Sequence, residues 1–410
     1  MGVSKPVAVS LFSGCGGFCE GMELAGFEVR VAVENDRYAC ETYRANFPDT
    51  ALLEIDIHDF LKVEEHREAC GGDVSIVFGG PPCQGFSQIG PRDIGDERND
   101  LYLEYARVVS TLRPRMFIME NVPNMILMNK GHFKRAIIEH FRGIGYSNTA
   151  FVKVSAADFG VPQTRERVFF FGTRDDLHLG GDLEEVAGAI LNTQKVKRHV
   201  SVWEAIGDLP DAVVHSGEVS VYPMPDKPSE FQKKMRLKDR SGPFSLRKKR
   251  AKKIAFSADG TPELHNHHTK EIQAKRAHLI SLLRPGQKAN SLPKEIWNGA
   301  RPEKWRRLHP DIPSHTILAQ MHRDLSEWVH PKLDRWITVR EAARLQSFHD
   351  GFVFRSSEWQ MLKQIGNAVP PLLGRVAGVL AIGILGRMTS AEGDAPSSVD
   401  EKRDILVAAE

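Results

Sequence analysis

An α/β fold is predicted for this chain: a doubly wound, mostly parallel sheet with a smaller domain inserted late in the sequence. Two observations carry that expectation. Through the first 175 residues, short apolar runs rich in β-formers alternate with stretches of helical spacing. Between about Asp175 and Ser314 the sequence turns polar and irregular, and then the apolar pattern resumes and ends in a helix-like run, Leu372 to Leu385.

The elements follow in order. Val7–Phe12 reads as a strand that opens into Ser13-Gly14-Cys15-Gly16-Gly17, and Phe18, Met22 and Ala25 then mark one side of a helix. A second strand, Glu28–Val33, ends in Glu34-Asn35-Asp36, and a third, Ala51–Ile55, ends in Asp56. An acid about 20 residues beyond a Gly-rich turn is where nucleotide folds hold ribose hydroxyls. Helix N-capping is the alternative use for both acids. Val74–Phe78 is a fourth strand, followed by Gly79-Gly80-Pro81-Pro82-Cys83-Gln84-Gly85-Phe86-Ser87. Polar Gln88–Asn99 then has the composition of a mobile loop, a lid over a substrate. A helix is expected over Leu101–Leu112, a fifth strand over Met116–Met119 running into Glu120-Asn121-Val122, and a further helix near Lys130–Ile144. Two apolar runs, Phe151–Val154 and Val168–Phe171, flank Gln163-Thr164-Arg165-Glu166-Arg167. On extended backbone the two arginines point to one face.

Three of these junctions carry chemistry. Ligands of open α/β sheets bind outside the carboxyl ends of the strands. There the chain presents a cysteine on a Gly/Pro turn, which suits either a rigidly mounted nucleophile or a packed structural thiol. The Gly-rich turn is followed by no Lys-Ser/Thr pair, so it is not a triphosphate loop. No basic residue lies between Phe12 and Val29 to grip a pyrophosphate. Acids around an adenosine pocket suit a cationic ligand, so S-adenosylmethionine fits better than NAD.

Composition excludes other classes. The 410 residues are 41% hydrophobic and 26% charged, with a net charge of +2, as in an ordinary globular protein. The five cysteines all fall in the first 83 residues, an odd number that argues for a reducing compartment over a disulfide framework. No secretory leader is expected from Met1–Pro6, and the apolar run Val376–Leu385 is too short to span a bilayer. Cys15 and Cys19, and His265-Asn266-His267-His268, lack partners at zinc-site spacing, so no metal is expected. Arg236–Lys253 holds nine basic residues against one acid, which reads as either a solvated loop or a phosphate-binding segment. Trp203, Trp297 and Trp305, with Arg301, Arg306 and Arg307, add aromatic and guanidinium groups.

Six ordered blocks resemble the DNA cytosine-5 methyltransferases: Phe12-Ser-Gly-Cys-Gly-Gly17, Gly80-Pro-Pro-Cys-Gln-Gly-Phe-Ser87, Glu120-Asn-Val122, Gln163-Thr-Arg-Glu-Arg167, Arg340-Glu-Ala-Ala-Arg-Leu-Gln346 and Gln364-Ile-Gly-Asn-Ala-Val-Pro-Pro371. The resemblance implies a methyltransferase Rossmann-like sheet, S-adenosylmethionine as cofactor and double-stranded DNA as substrate. It implies a catalytic domain in two parts, 1–175 and 316–388, around a target-recognition domain, 176–315, with a disordered tail over 389–410. It assigns catalysis to Cys83, Glu120, Arg165 and Arg167. Cofactor contacts fall to Phe12, Gly14, Gly16, Gly17, Glu34, Asp56, Ile57, Pro82, Leu101, Asn367 and Val369. Gln84, Ser87 and the basic run Arg247, Lys248, Lys249 and Arg250 are candidate DNA or base contacts. The implied reaction adds the Cys83 thiolate to C6 of a flipped cytosine and methylates C5. A cytoplasmic, nucleoid-associated monomer is expected, with a restriction endonuclease of the same site as a further partner. The rivals are a tRNA cytosine-5 methyltransferase, which has a much reduced recognition region, and a non-catalytic DNA-binding regulator, which has no need of every reactive group. A nicotinamide dehydrogenase shares the fold class but has no use for Cys83 beside Glu120 and two arginines.

Overall fold

The structure is a computed structural model that describes residues 4–82, 100–214, 219–221, 226–236, 263–269, 271–297, 299, 305–319 and 328–390. Its centre is a seven-stranded sheet. The strands are β1 (Val7–Leu11), β2 (Glu28–Glu34), β3 (Ala51–Glu54), β4 (Ile76–Gly79), β5 (Met116–Asn121), β6 (Asn148–Ser155) and β8 (Glu166–Thr173), with the short β7 (Gln163–Thr164) outside it. The order is β3-β2-β1-β4-β5-β8-β6. The first five strands are parallel, whereas β8 runs antiparallel to both of its neighbours.

The central strands β1, β4 and β5 bury both faces, so their side chains alternate between two cores. Ala8, Ile76, Phe78, Ile118 and Phe169 join one core. Val9, Val77, Phe117, Met119 and Phe170 join the other. The connecting helices are α1 (Gly17–Ala25), α2 (Arg37–Asn46), α3 (Ile57–Phe60), α4 (Glu64–Cys70), α5 (Asp100–Leu112), α6 (Asn124–Leu127) and α7 (His132–Gly143). On the first face α1 packs against the C-terminal helix Pro371–Leu385. A Cβ on Gly21 would lie 2.4 Å from the Gly374 backbone, so the small residue sets the approach. The stretch Glu358–Leu385 is long and apolar enough to cross a membrane, but 72% of its most apolar window is buried inside this fold. It is a core element here.

The stretch 176–315 begins on the same core: Leu183, Ala187, Leu191, Val202, Ala205 and Ile206 pack into it. Farther on, Ile280, Leu283, Ala289, Trp305 and Val329 form a separate small core, with Trp297 and Trp336 against it. Trp297 and Trp305 are therefore packing residues. Arg307, 4% exposed, donates to the carbonyls of Ile280, Leu283, His330 and Leu333 and to Asp334. Asn266 donates to and accepts from the Phe354 backbone. Both ring nitrogens of His267 are taken, by Thr338 and the Pro210 carbonyl. At the other end, Met388–Ser390 pairs with Leu177–Leu179, so regular structure runs two residues into the expected tail; 391–410 lie outside the described residues.

The block Arg340–Gln346 is a brace. It forms the helix Val339–Leu345, capped by Thr338 and Glu341, and every residue from Val339 to Leu345 is buried. Arg344 grips Asp350 and Asp208, and Arg340 donates to three carbonyls, of His265, His349 and Phe352. Glu341 takes a two-pronged bond from Arg335 at 2.8 and 2.9 Å. Burial pushes the Glu341 carboxyl up, but Arg335, helped by His330 and His267, overrides it and brings the pKa down to about 2. A depressed carboxyl stabilises the fold above its ordinary pKa, and that stabilisation is lost as pH falls. Two outcomes are expected in urea titrations. Glu341→Gln loses about 3–5 kcal/mol at neutral pH, the cost of stranding a buried partner. The wild type loses this contribution as pH falls from 4.5 towards 2, whereas the variant does not.

Candidate active site

A cleft of about 560 Å³ opens at the carboxyl ends of β1, β2, β4 and β5. That volume is ordinary for a small-molecule site. The strand directions explain why so many polar groups meet there. Parallel strands deliver their last residues to this edge, and β8, running the other way, delivers its first.

The Gly-rich turn makes one end. Phe12 closes β1 at φ 54°, an unusual conformation for a residue with a side chain, and lines the cleft with Gly14 and Gly17. The Gly14 N–H donates to Glu34 Oε2 at 2.7 Å, while those of Asn35 and Asp36 donate to Oε1 at 3.0 and 2.9 Å. Burial pushes the Glu34 carboxyl above its usual range, against the pull of these three donors. An ionised carboxylate offers about four acceptor positions, so about one remains for a ligand hydroxyl. Asp36 caps α2 and meets Lys363 Nζ at 2.8 Å; burial opposes its charge, but the lysine holds its pKa below the usual range. Ile57, Leu101, Asn367 and Val369 complete this end.

Two expected contacts stand apart. Asp56 does not line the cleft: it caps α3 through the His58 N–H, and its oxygens also meet the His58 ring and Asn35. Its capping role is realised. Gly16 is the N-cap of α1 and lies behind the turn, where a Cβ would fall 2.2 Å from the Phe47 ring.

The other end is built from β4, β5 and the approach to β8. Arg167 Nε lies 2.6 Å from Glu120 Oε1, with both side chains only 12–13% exposed. A Cβ on Gly80 would sit 2.9 Å from Glu120 Oε2, so glycine leaves room for the carboxylate. Asn121 Nδ2 donates to the Pro81 carbonyl at 3.0 Å and pins the turn to β5. Pro81 and Pro82 line the cleft. Cys83, Gln84 and Ser87, the Gln88–Asn99 stretch, Arg247, Lys248, Lys249, Arg250 and Arg301 lie outside the described residues.

The arginine pair divides. Arg165, 2% exposed, donates from Nη1 to Ile317 O at 3.0 Å and from Nη2 to Gly366 O at 2.9 Å; its buried Nε has no partner among the described residues. Burial, and secondarily the Arg167 charge, pushes its pKa well down. It fastens two cleft-lining segments, around Thr316–Ala319 and Gly366–Val369, to the sheet edge. Sequence reasoning gave no role to Asn121, Lys363 or this 316–319 segment. A polar residue closing an apolar strand was a signal for Asn121; nothing marked the others.

The sequence profile of the C-5 cytosine-specific DNA methylases matches residues 7–379. The chain belongs to that family. It is a DNA (cytosine-5-)-methyltransferase whose cofactor is S-adenosyl-L-methionine and whose substrate is DNA. It is similar to the type II methyltransferase M.AgeI of Thalassovita gelatinovora, 34% identical over 90% of this chain and 97% of the relative. It is equally similar to M.XorII of Xanthomonas oryzae pv. oryzae, 34% identical over 92% of this chain and 84% of the relative. A crystal structure from E. coli, of a protein named only provisionally as a prophage-encoded DNA modification methyltransferase, aligns with a TM-score of 0.71 and 27% identity over 93% of this chain and 99% of that one. The S. pombe Dnmt2 methyltransferase, at 18% identity and a TM-score of 0.51 over 93% of this chain and 98% of that one, shares the fold.

The cleft suits the family's cofactor. Apolar Phe12, Ile57, Leu101 and Val369 offer surface to an adenosine, and Glu34 has acceptor capacity for ribose hydroxyls. At this end the cation Lys363 is already engaged by Asp36, leaving a sulfonium unopposed. Glu34→Gln keeps one acceptor oxygen but loses the charge, so S-adenosylmethionine should bind about 10- to 100-fold more weakly by calorimetry, the usual loss for a charged hydrogen bond. Unchanged affinity would remove Glu34 from the cofactor site.

Proposed function

We propose that this methyltransferase acts through a covalent adduct between Cys83 and C6 of a cytosine flipped out of duplex DNA. The observation that carries the reading is the Glu120–Arg167 pair, 2.6 Å apart, in the cleft that Pro82 lines one residue before Cys83. C5 of cytosine is a weak nucleophile. Addition of a thiolate to C6 forms a C–S bond and moves the ring π-electrons towards C5 and N3. The cofactor supplies an electrophilic methyl group on a sulfonium. Once C5 carries that methyl, loss of its proton to a base sends electrons back into the ring and expels the Cys83 thiolate.

The chain's own residues orient and stabilise. Glu120 meets the N3 and amino edge of the base, where charge changes most during addition. Arg167 fixes the Glu120 carboxylate, and Arg165 positions the segments on either side. Asn121 holds Pro81, and with it the start of the cysteine turn. Stacking hides C5 and C6 in a duplex, so the base must leave the helix at a cost of a few kcal/mol. The described parts of 176–315, with their separate small core, support a recognition role for that stretch. The names of the type II relatives support a place in a restriction–modification pair. Bisulfite sequencing of DNA from cells expressing the chain identifies the site.

DNA carrying 5-fluorocytosine tests the chemistry, because fluorine does not leave as a cation. The wild type with cofactor should form a denaturation-resistant adduct, and Cys83→Ala should form none while still binding S-adenosylmethionine. Turnover by Cys83→Ala would end the covalent reading. Glu120→Gln is expected to slow methylation by roughly 10²- to 10⁴-fold, the usual range for a positioned acid or base, with the melting temperature little changed.

A further inference from the structure

Two cations, followed in the chain by a histidine next to the cleft wall, have no ion-pair partner among the described residues. Lys288 and Arg306 face each other across an antiparallel bridge, held by Ala289 N–H to Trp305 O at 2.9 Å and Arg307 N–H to Gln287 O at 3.0 Å. Residues so opposed share a face with Cβ atoms about 5 Å apart, and like charges there repel. Both side chains are half-buried, and neither forms an ion pair or a hydrogen bond among the described residues. Arg307 is the contrast: one residue along, it turns inward and commits its guanidinium to carbonyls and Asp334. Arg306 has been left without such partners.

His315 stands nine residues beyond Arg306 and is exposed; burial, and after it the charges of Arg306 and Lys288, push its imidazole pKa down. Its strand, Ser314–His315, pairs with Gln163–Thr164, and the next residue, Thr316, lines the cleft. His315 is therefore continuous with the cleft wall, and Arg306 stands on the strand that leads towards it in the chain. Its mount is firm, since Trp305 packs edge-on against Trp336 and Arg307 anchors the strand beneath.

We infer that Lys288, Arg306 and His315 form a clamp for a backbone phosphate of the DNA strand entering the cleft. This rests on the reading of the cleft as the destination of the target cytosine. Two fixed cations and a ring N–H match the oxygens of a phosphodiester, and an anion there removes the repulsion that the described residues leave uncompensated.

Fluorescence anisotropy with a random-sequence 30-base-pair duplex, across a KCl series, tests the clamp. Each lost phosphate contact lowers the slope of log affinity against log salt by about 0.9. Lys288→Ser/Arg306→Gln, which removes one phosphate contact, is expected to lower it by about 0.9 and to weaken binding roughly 10-fold near 0.1 M salt. Lys288→Arg/Arg306→Lys should keep the wild-type slope. S-adenosylmethionine affinity and melting temperature should not move in either variant; a drop in both would make the cluster structural and overturn the clamp. A wild type that methylates DNA, alongside a neutral variant with an unchanged slope, overturns the clamp alone. A wild type that neither binds nor methylates any DNA overturns the reading of the cleft itself.

Discussion

The direction of a single strand governs the site. Because β8 runs against β5, with Asn121 opposite Val168, Arg167 emerges one residue beyond the pairing and reaches Glu120. Were β8 parallel, its eight residues at about 3.3 Å each would carry the arginines some 26 Å to the far edge of the sheet. The approach to β8 is tied down as firmly. Gln163, with no exposed surface, donates to Gln346 Oε1 and Leu345 O and accepts the Ile317 N–H, joining segments more than 150 residues apart. Arg165 repeats the pattern at Ile317 and Gly366. Two adjacent polar side chains thus close the ring of segments around the cleft.

Buried arginines extend this scheme through the C-terminal half. Arg307, Arg335, Arg340 and Arg344 are each at most 8% exposed. Apolar side chains of similar volume often pack as stably as a buried ion pair. Carbonyl groups at chain ends and turns change the comparison. Arg340 satisfies three carbonyls from two segments, and Arg344 takes up the Ala205 carbonyl with two aspartates. An apolar substitute would leave those acceptors buried and unpaired, at about 1–3 kcal/mol each. The arginine-rich block is best understood as satisfying irregular backbone where the inserted stretch meets the core.

Much of the sheet was legible because its strands alternate between two apolar cores and end in Gly, Pro or acids. The edge carrying the site followed from where those ends fall. What remained hidden depends on tertiary context. Glu34 and Asp56 both follow strands in an acid-containing turn, yet one faces the cleft and the other caps a helix, since only α3 starts directly after its acid. Trp297, Trp305 and Arg307 look like surface recognition groups in a polar stretch. Trp305 is instead in the core of a small unit whose apolar residues are too scattered to show a period, Trp297 packs against it, and Arg307 anchors its carbonyls. Arg306, one position away, has the opposite fate, and only the pairing of its strand with Lys288 distinguishes them.

The cleft is also sorted by charge. At the cofactor end, Asp36 and Lys363 neutralise each other and Glu34 supplies the remaining acidic group. At the catalytic end, Arg165 and Arg167 outnumber Glu120, so a base gaining negative charge finds net positive surroundings. In the proposed reaction a sulfonium and an electron-rich ring at the matching ends would each be stabilised where they stand, with little to reorganise as the methyl group crosses between them. In the proposed reaction Arg165 would act without touching the substrate, through a buried charge felt by Glu120 as well as by the carbonyls it binds. The residue that closes the cleft mechanically is in this way also one that polarises it.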